Sequence, residues 1–179
     1  MRLTAEKKRV IKRRALYAAV IVGVSLLQNT PGLFPVIFSA RAFLLIPAVV
    51  CIAMFEGPVA GLWLGLLAGL AWDAAGAQPF ALHAVFLTAA GYVAGVLVSA
   101  VMRNNLVSAA LLGSASLALY CLVRWLASAL TGGASGLLAS LAGFYLPSFV
   151  YSFALTPVFY IFIRAVYTGS VRKKRGETA

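Results

Sequence analysis

Charged residues, and acids above all, are scarce in this sequence of 179 residues. They make up 11% of the chain, and only four are Asp or Glu, whereas about a quarter of the residues in a soluble domain are charged. Apolar residues make up 63%, and the mean hydropathy is +0.97. A soluble fold of this size would leave much of that apolar surface in water, because small domains bury a limited share of their surface. The composition therefore predicts an integral membrane protein.

Side chains that carry catalytic or metal chemistry are equally scarce, with one histidine and two cysteines in the chain. Cys51 and Cys121 each lie inside an apolar run, where a small buried thiol is the usual role. The sequence contains no phosphate-binding loop, no G-x-S-x-G or H-E-x-x-H motif and no kinase signature. We therefore predict a protein that is not an enzyme and that has no metal site and no cofactor.

Positive charge is abundant by contrast, because the formal net charge is +11. Most of it lies at the two ends, in Arg2, Lys7, Lys8, Arg9, Lys12, Arg13, Arg14, Arg172, Lys173, Lys174 and Arg175. Basic clusters that flank apolar runs are typical of topology signals and of contacts with anionic lipid, rather than of nucleic-acid binding. We predict that residues 1–14 and 169–179 are basic cytoplasmic tails. The first helix is predicted to be retained, because the candidate cleavage point near Ser39 has Ile37 or Phe38 at its −3 position.

Six apolar segments predict an all-α membrane protein in which residues 15–168 form a six-helix transmembrane bundle. The predicted helices cover approximately Leu16–Leu27, Ala42–Phe55, Val59–Ala74, Phe80–Met102, Leu106–Leu130 and Leu141–Tyr167. The second and third are short for a full span. An even number of spans places both tails and the turns at Glu56 and Arg103 in the cytoplasm. Three segments without Lys or Arg are then predicted to lie outside the cytoplasm, and they are Thr30–Ala40, Asp73–Pro79 and Thr131–Ser140. Five spans are the alternative, and they would place one basic cluster outside.

The third predicted helix carries glycine at every fourth position, at Gly57, Gly61, Gly65 and Gly69, and Asp73 continues the series. Residues four apart lie on one face of a helix. A glycine face allows another backbone to approach closely, which is how helices associate in lipid. Two interpretations remain open at this point: the face packs within the protein, or it contacts a partner subunit.

Three polar residues stand out among the apolar segments. Asp73 is the one acid of the predicted outer half, and either it is a buried functional group or it caps a solvated turn. His83 follows the bend at Pro79 and could approach Asp73 across it, although a lone histidine is more often a hydrogen-bonded packing residue than a ligand. Arg124 lies within the fifth helix, and three roles are open for it. Its side chain extends to the membrane interface, it pairs with Tyr120 or with a distant acid, or it faces a partner protein.

Residues 56–84 carry a distinctive pattern. It begins Glu56-Gly57-Pro58 and continues through Gly61, Gly65, Gly69-Leu70-Ala-Trp-Asp73, Gly76 and Pro79-Phe80-Ala81-Leu82-His83-Ala84. This pattern resembles the core of the rod shape-determining protein MreD family, which has a glycine-rich helix, then Gly-Leu-x-x-Asp, then Pro-Leu-Gly-Leu-His or similar. The chain departs at Phe80-Ala81, where the family more often has Leu-Gly. The basic start, Leu26-Leu27-Gln28 and the six-span size are also similar, so the resemblance covers about residues 10–170.

The resemblance implies a non-enzymatic membrane scaffold of the bacterial cell-elongation complex, which builds peptidoglycan in rod-shaped cells. The implied partners are an MreC-like bitopic protein and, through it, MreB-like filaments, a RodA-like glycosyltransferase and a class B penicillin-binding transpeptidase. The implied fold resembles the substrate-binding component of energy-coupling factor transporters, and Gly69, Asp73, Gly76, Pro79 and His83 match the motif. The alternative function is a substrate-binding membrane component of a vitamin-type transporter. Its outer pocket would draw on Trp72, Gln78 and His83.

Overall fold

The computed structural model describes residues 5–30, 42–76, 81–132 and 141–175, and most of these residues are helical, with no strand among them. The helices are α1 (Ala5–Asn29), α2 (Leu45–Glu56), α3 (Pro58–Gly76), α4 (Leu82–Ala100), α5 (Leu106–Gly132) and α6 (Leu146–Arg175), with a π-helical turn at Leu141–Tyr145 before α6. The prediction of an all-α protein with six helices is confirmed. Gln78 and Pro79, which the sequence singled out, lie outside the described residues.

Four helical segments are long and apolar enough to cross a membrane. They are Pro58–Gly76, Leu82–Ala100, Leu106–Ser128 and Gly143–Ser170. The second helix is apolar but has only 12 residues, so it is about 18 Å long against a hydrocarbon core of about 30 Å. The first helix has 25 residues, but its first three turns are rich in Lys and Arg. Six helices are therefore present, and four of them have the length and composition of a full span.

The short helix α2 lies at the centre of the bundle. Each residue from Leu45 to Met54 is buried, and α2 contacts each of the other five helices. A helix that is apolar on all sides is expected in the interior of a fold. The enclosed position of α2 therefore explains its short length, because an enclosed helix does not have to reach both faces of a bilayer.

Both ends of α2 are satisfied by side chains from other parts of the chain. The first backbone N–H groups of a helix and its last carbonyls have no partner within the helix, and burial without a partner is costly. At the start of α2, Gln28 Oε1 accepts a hydrogen bond from the Leu45 N–H (3.1 Å), and Ser152 Oγ accepts one from the preceding Phe43 N–H (2.8 Å). At its end, Asn104 Nδ2 donates to the Met54 carbonyl (2.9 Å). These bonds fix α2 to α1, α6 and the α4–α5 turn.

A charged cluster joins α1, α2 and α6 at the C-terminal end of α2. Glu56, the last residue of α2, has a side chain that is 1% exposed and forms an ion pair with Arg13, which is 15% exposed. The Arg13 guanidinium also lies over the ring of Tyr167 in α6, 4.7 Å from its centroid, where a cation is attracted by the ring. Arg14 lies 3.6 Å from the other carboxylate oxygen and is half exposed. The first basic cluster is thus partly helical and partly buried, because a buried carboxylate requires a cation.

We predict unequal effects for the two neighbouring arginines of this cluster. Arg13→Gln should lower the free energy of unfolding by about 3 kcal/mol, because it leaves Glu56 buried without its main partner. Arg14→Gln should lower it by less than about 1 kcal/mol, since an exposed ion pair contributes little. Unfolding in detergent micelles, followed by circular dichroism, measures both. Equal losses for the two variants would contradict this assignment of the Glu56 partner.

Helices α3 and α4 pack with their backbones in direct contact, and glycines make that approach possible. A Cβ atom at Gly61 would lie 2.5 Å from the carbonyl oxygen of Gly91, and one at Gly65 or Gly69 would also collide with the α4 backbone. The fourth helix contributes its own glycines, because a Cβ atom at Gly95 would lie 2.6 Å from the Pro58 backbone. Of the two interpretations of the glycine face, the structure has the one in which it packs within the protein.

Gly57 has a different role from the other three glycines of the series. Its φ is +86°, a conformation that L side chains rarely adopt, and a Cβ atom there would meet nothing within 4 Å. It ends α2 and allows α3 to begin one residue later at Pro58. The prediction that Gly57 belongs to the glycine packing face is therefore wrong. Gly57 is a turn residue, and the packing face begins at Gly61.

We predict that Gly65→Ala destabilises the protein by about 2 kcal/mol or more. The added methyl group would meet the Leu87 backbone, which cannot rotate away as a flexible side chain could, so the two helices must separate. Gly23→Ala in α1 is the matched control, because its Cβ atom would meet nothing within 4 Å. It should leave stability unchanged or raise it by up to about 1 kcal/mol. The same unfolding measurement tests both, and a neutral Gly65→Ala would contradict the packing role.

Candidate functional site

The sequence-predicted polar residues Asp73 and His83 meet where α3 ends and α4 begins. Asp73 lies in the last turn of α3, and His83 is the second residue of α4. Asp73 Oδ1 and His83 Nδ1 are 2.5 Å apart, and their side chains are 10% and 6% exposed. The approach that the sequence suggested across the bend is present. It depends on the glycine packing, because Gly69 brings the α3 backbone against Ala84 one residue beyond His83.

Asp73 acts as a cap for the first turn of α4. Its Oδ2 accepts a hydrogen bond from the Ala84 N–H (2.8 Å), and its Oδ1 accepts a longer one from the His83 N–H (3.3 Å). The residue at the usual capping position, Ala81, has no side chain that could do this. A carboxylate at a helix N-terminus satisfies orphan donors and interacts favourably with the helix dipole. Of the two interpretations of Asp73, the structure therefore has a buried group that also caps, but it caps a helix rather than a solvated turn.

His83 is held on three sides. Besides Asp73, its Nε2 lies 3.0 Å from the Tyr120 hydroxyl of α5, and its ring stacks on Trp72 of α3 with centroids 4.4 Å apart. A neutral imidazole that donates from Nδ1 to Asp73 accepts the Tyr120 proton at Nε2. Both ring nitrogens are then occupied by protein groups, so His83 is a hydrogen-bonded packing residue in this arrangement.

A cavity of about 410 Å³ opens beside this cluster. Its described lining residues are Gln28, Asn29, Ala42, Phe43, Trp72, Ala75, Gly76, His83, Tyr120, Arg124, Phe144 and Tyr145. They come from α1, the segment before α2, α3, α4, α5 and the π-helical turn. The rings of Phe43 and Tyr120 meet edge to face at 5.0 Å, and the Phe43 ring also lies 6.0 Å from that of Trp72. Five of these twelve residues are Phe, Trp or Tyr, and the others include two amides, an imidazole and an arginine.

Arg124 takes a position that the sequence left open. It lines the cavity, and no ion pair or hydrogen bond engages its guanidinium within the part of the chain that the structure describes. The Tyr120 hydroxyl, which was one candidate partner, is hydrogen-bonded to His83 instead. Gly76 also lines the cavity, at the end of α3.

Sequence reasoning missed several residues of the site. Tyr120 and Phe43 lie more than 35 residues from His83 in the sequence, so no local pattern connects them with it. Gly91 and Gly95 were missed although a signal was present, because they are four residues apart on one face of α4. Among the described residues, no group of three His, Cys, Asp or Glu side chains could hold a metal ion.

Comparisons of this chain with protein-family models, with curated proteins and with solved structures found no match. Functional inference therefore rests on the residues and their geometry.

We predict that Asp73→Asn lowers the free energy of unfolding by about 3 kcal/mol. An amide can place one acceptor oxygen, but its NH₂ group would then face either the backbone donors of α4 or the imidazole, so at least one charge-assisted hydrogen bond is lost. Hydrogen exchange over residues 81–88, measured by mass spectrometry, should become faster as the first turn of α4 loosens. Glu177→Gln is the matched control, because it makes the same chemical change beyond the end of α6. Equal and negligible effects of the two changes would contradict the capping role of Asp73.

Proposed function

We propose that this protein is a non-enzymatic scaffold subunit of the bacterial cell-elongation complex, related to the rod shape-determining MreD family. In this proposal it spans the cytoplasmic membrane several times, with both termini in the cytoplasm, and binds an MreC-like bitopic protein. Through that partner it is connected to MreB-like filaments, a RodA-like glycosyltransferase and a class B penicillin-binding transpeptidase.

One observation carries the proposal: Asp73, His83 and the glycines of α3, which belong to the segment that resembles the family, are engaged within the fold. Asp73 caps α4 and holds His83, and Gly61, Gly65 and Gly69 bring α3 against α4. A catalytic carboxylate or imidazole needs access to a substrate, whereas both of these groups have their polar atoms occupied by the protein. Residues that serve internal geometry in this way favour a scaffold, whose surface must keep a constant shape for its partners.

The test is depletion of the protein in the rod-shaped bacterium that encodes it. Depletion should make the cells round, and re-expression of the wild type or of Gly23→Ala should restore rods. Gly65→Ala should restore them poorly, because it separates α3 from α4. Cells that remain rods after full depletion would overturn the proposal.

The cavity favours a second candidate function, the membrane component of a vitamin-type transporter that binds the solute. Affinity purification of the tagged protein from native membranes separates the two candidates. Recovery of an MreC-like bitopic protein supports the scaffold, and recovery of an energy-coupling ATPase with its membrane partner supports the transporter.

A further inference from the structure

We propose that the cavity is a binding site for an organic anion with a flat aromatic body, and that Arg124 holds its carboxylate or phosphate group. The site requires neither transport nor assembly with an MreC-like partner. It would be retained whichever of the two candidate functions is correct.

The acids near the bundle are engaged elsewhere, which leaves Arg124 available for an anion. Of the four acids, Glu56 is ion-paired with Arg13, and Asp73 accepts hydrogen bonds from His83 and from the first turn of α4. Glu6 is 22 residues before Gln28 on α1, which is roughly 33 Å along a helix. An arginine that lines a cavity with aromatic residues, and that forms no ion pair with a described carboxylate, favours a planar anion that accepts two parallel hydrogen bonds.

The aromatic walls are suited to a flat ligand because they are already in place. The Trp72 ring is fixed by stacking on the His83 ring, which is itself fixed by its contacts with Asp73 and Tyr120. Phe43 is fixed by its contacts with Tyr120 and Phe144 and by the hydrogen bond from its N–H to Ser152. Side chains that are ordered before binding lose little entropy when a ligand arrives, so the contact surface is preorganised. Aromatic rings in turn interact well with another ring, stacked or edge to face.

The amides at the end of α1 add directional groups beside the aromatic walls. Gln28 uses its Oε1 to accept from Leu45, and Asn29 uses its Nδ2 to donate to Ser25. Each side chain is thereby oriented by the protein, and its other amide atom has no hydrogen-bond partner among the described residues. A volume of about 410 Å³ is within the range of small-molecule sites.

The probe for this site is 2-naphthoate, which joins a flat aromatic body to one carboxylate. Equilibrium dialysis against the protein in phosphatidylcholine nanodiscs, with empty nanodiscs subtracted, should show saturable binding at one site. The neutral analogue 2-naphthamide should bind at least about tenfold more weakly, since it lacks the charge that Arg124 recognises. Absence of saturable 2-naphthoate binding would overturn the proposal, and equal affinity for the amide would overturn the role of charge.

Two pairs of variants locate the binding. Arg124→Gln should weaken 2-naphthoate binding by at least about tenfold, whereas Arg103→Gln, an exposed arginine at the α4–α5 turn, should change it less than about twofold. Ala75→Trp should abolish binding by filling the cavity, whereas Ala74→Trp, the exposed neighbour that does not line it, should not. The alanine pair keeps the test decisive if Arg124→Gln fails to fold. Binding that survives both Arg124→Gln and Ala75→Trp places the ligand elsewhere and overturns the proposal.

A phospholipid headgroup is the competing occupant of the cavity, because it is an anion without a flat aromatic body, and a second measurement identifies it. Native mass spectrometry of protein released from phosphatidylglycerol nanodiscs should show no lipid whose retention depends on Arg124. One retained lipid that Arg124→Gln loses, without saturable 2-naphthoate binding, would assign the cavity to a headgroup and overturn the proposal. These measurements use the purified chain alone, so they remain informative if depletion leaves cell shape unchanged.

Discussion

The rest of the structure depends on the direct backbone contact between α3 and α4. Glycine at Gly61, Gly65 and Gly91 removes the side chains that would otherwise keep the two helices a normal distance apart. At that short distance the last turn of α3 reaches the first turn of α4, so the Asp73 carboxylate can accept hydrogen bonds from backbone N–H groups of another helix. A capping residue is normally local in sequence. Here the cap is supplied across a helix pair, and it exists only because the pair is so close.

The same reasoning applies to the buried helix α2, whose ends could not be left unsatisfied in an apolar interior. Gln28, Ser152 and Asn104 each satisfy a backbone group at one end of α2, and each comes from a different part of the chain. A helix of 12 residues has little stability of its own. Its stability therefore comes from enclosure by its neighbours, and those polar contacts fix its position along the bundle axis. The central helix and its surroundings require one another.

The helices and the glycine packing face of α3 could be predicted from the sequence, because both follow from local patterns of apolar and small residues. The encounter of Asp73 with His83 was also within reach, since only ten residues and one bend separate them. The position of α2 could not be predicted, because an apolar run of 12 residues has the same pattern whether it is enclosed by protein or faces lipid. The pairing of Arg13 with Glu56 was missed for a related reason. A basic cluster before an apolar segment signals topology, and nothing in its pattern singles out the one arginine that is required inside the fold.

The scarcity of acids gives each charged contact in the bundle a specific position. Moving a carboxylate into an apolar interior is costly unless it is paired and hydrogen-bonded, and this chain does so twice, at opposite ends of the α3 helix. Glu56 just before α3 joins α1, α2 and α6 through Arg13, and Asp73 near the end of α3 joins α3 to α4 through His83. Each acid thus fixes the relative position of the helices that it joins, which apolar packing alone would not do. Arg124 has no such acid among the described residues, and it lines a cavity to which five other segments of the chain contribute. Glu56 and Asp73 thus each lie beside a partner, whereas Arg124 lines the cavity without an ion pair among the described residues, and this contrast is the reason for proposing that its counter-ion is a bound ligand.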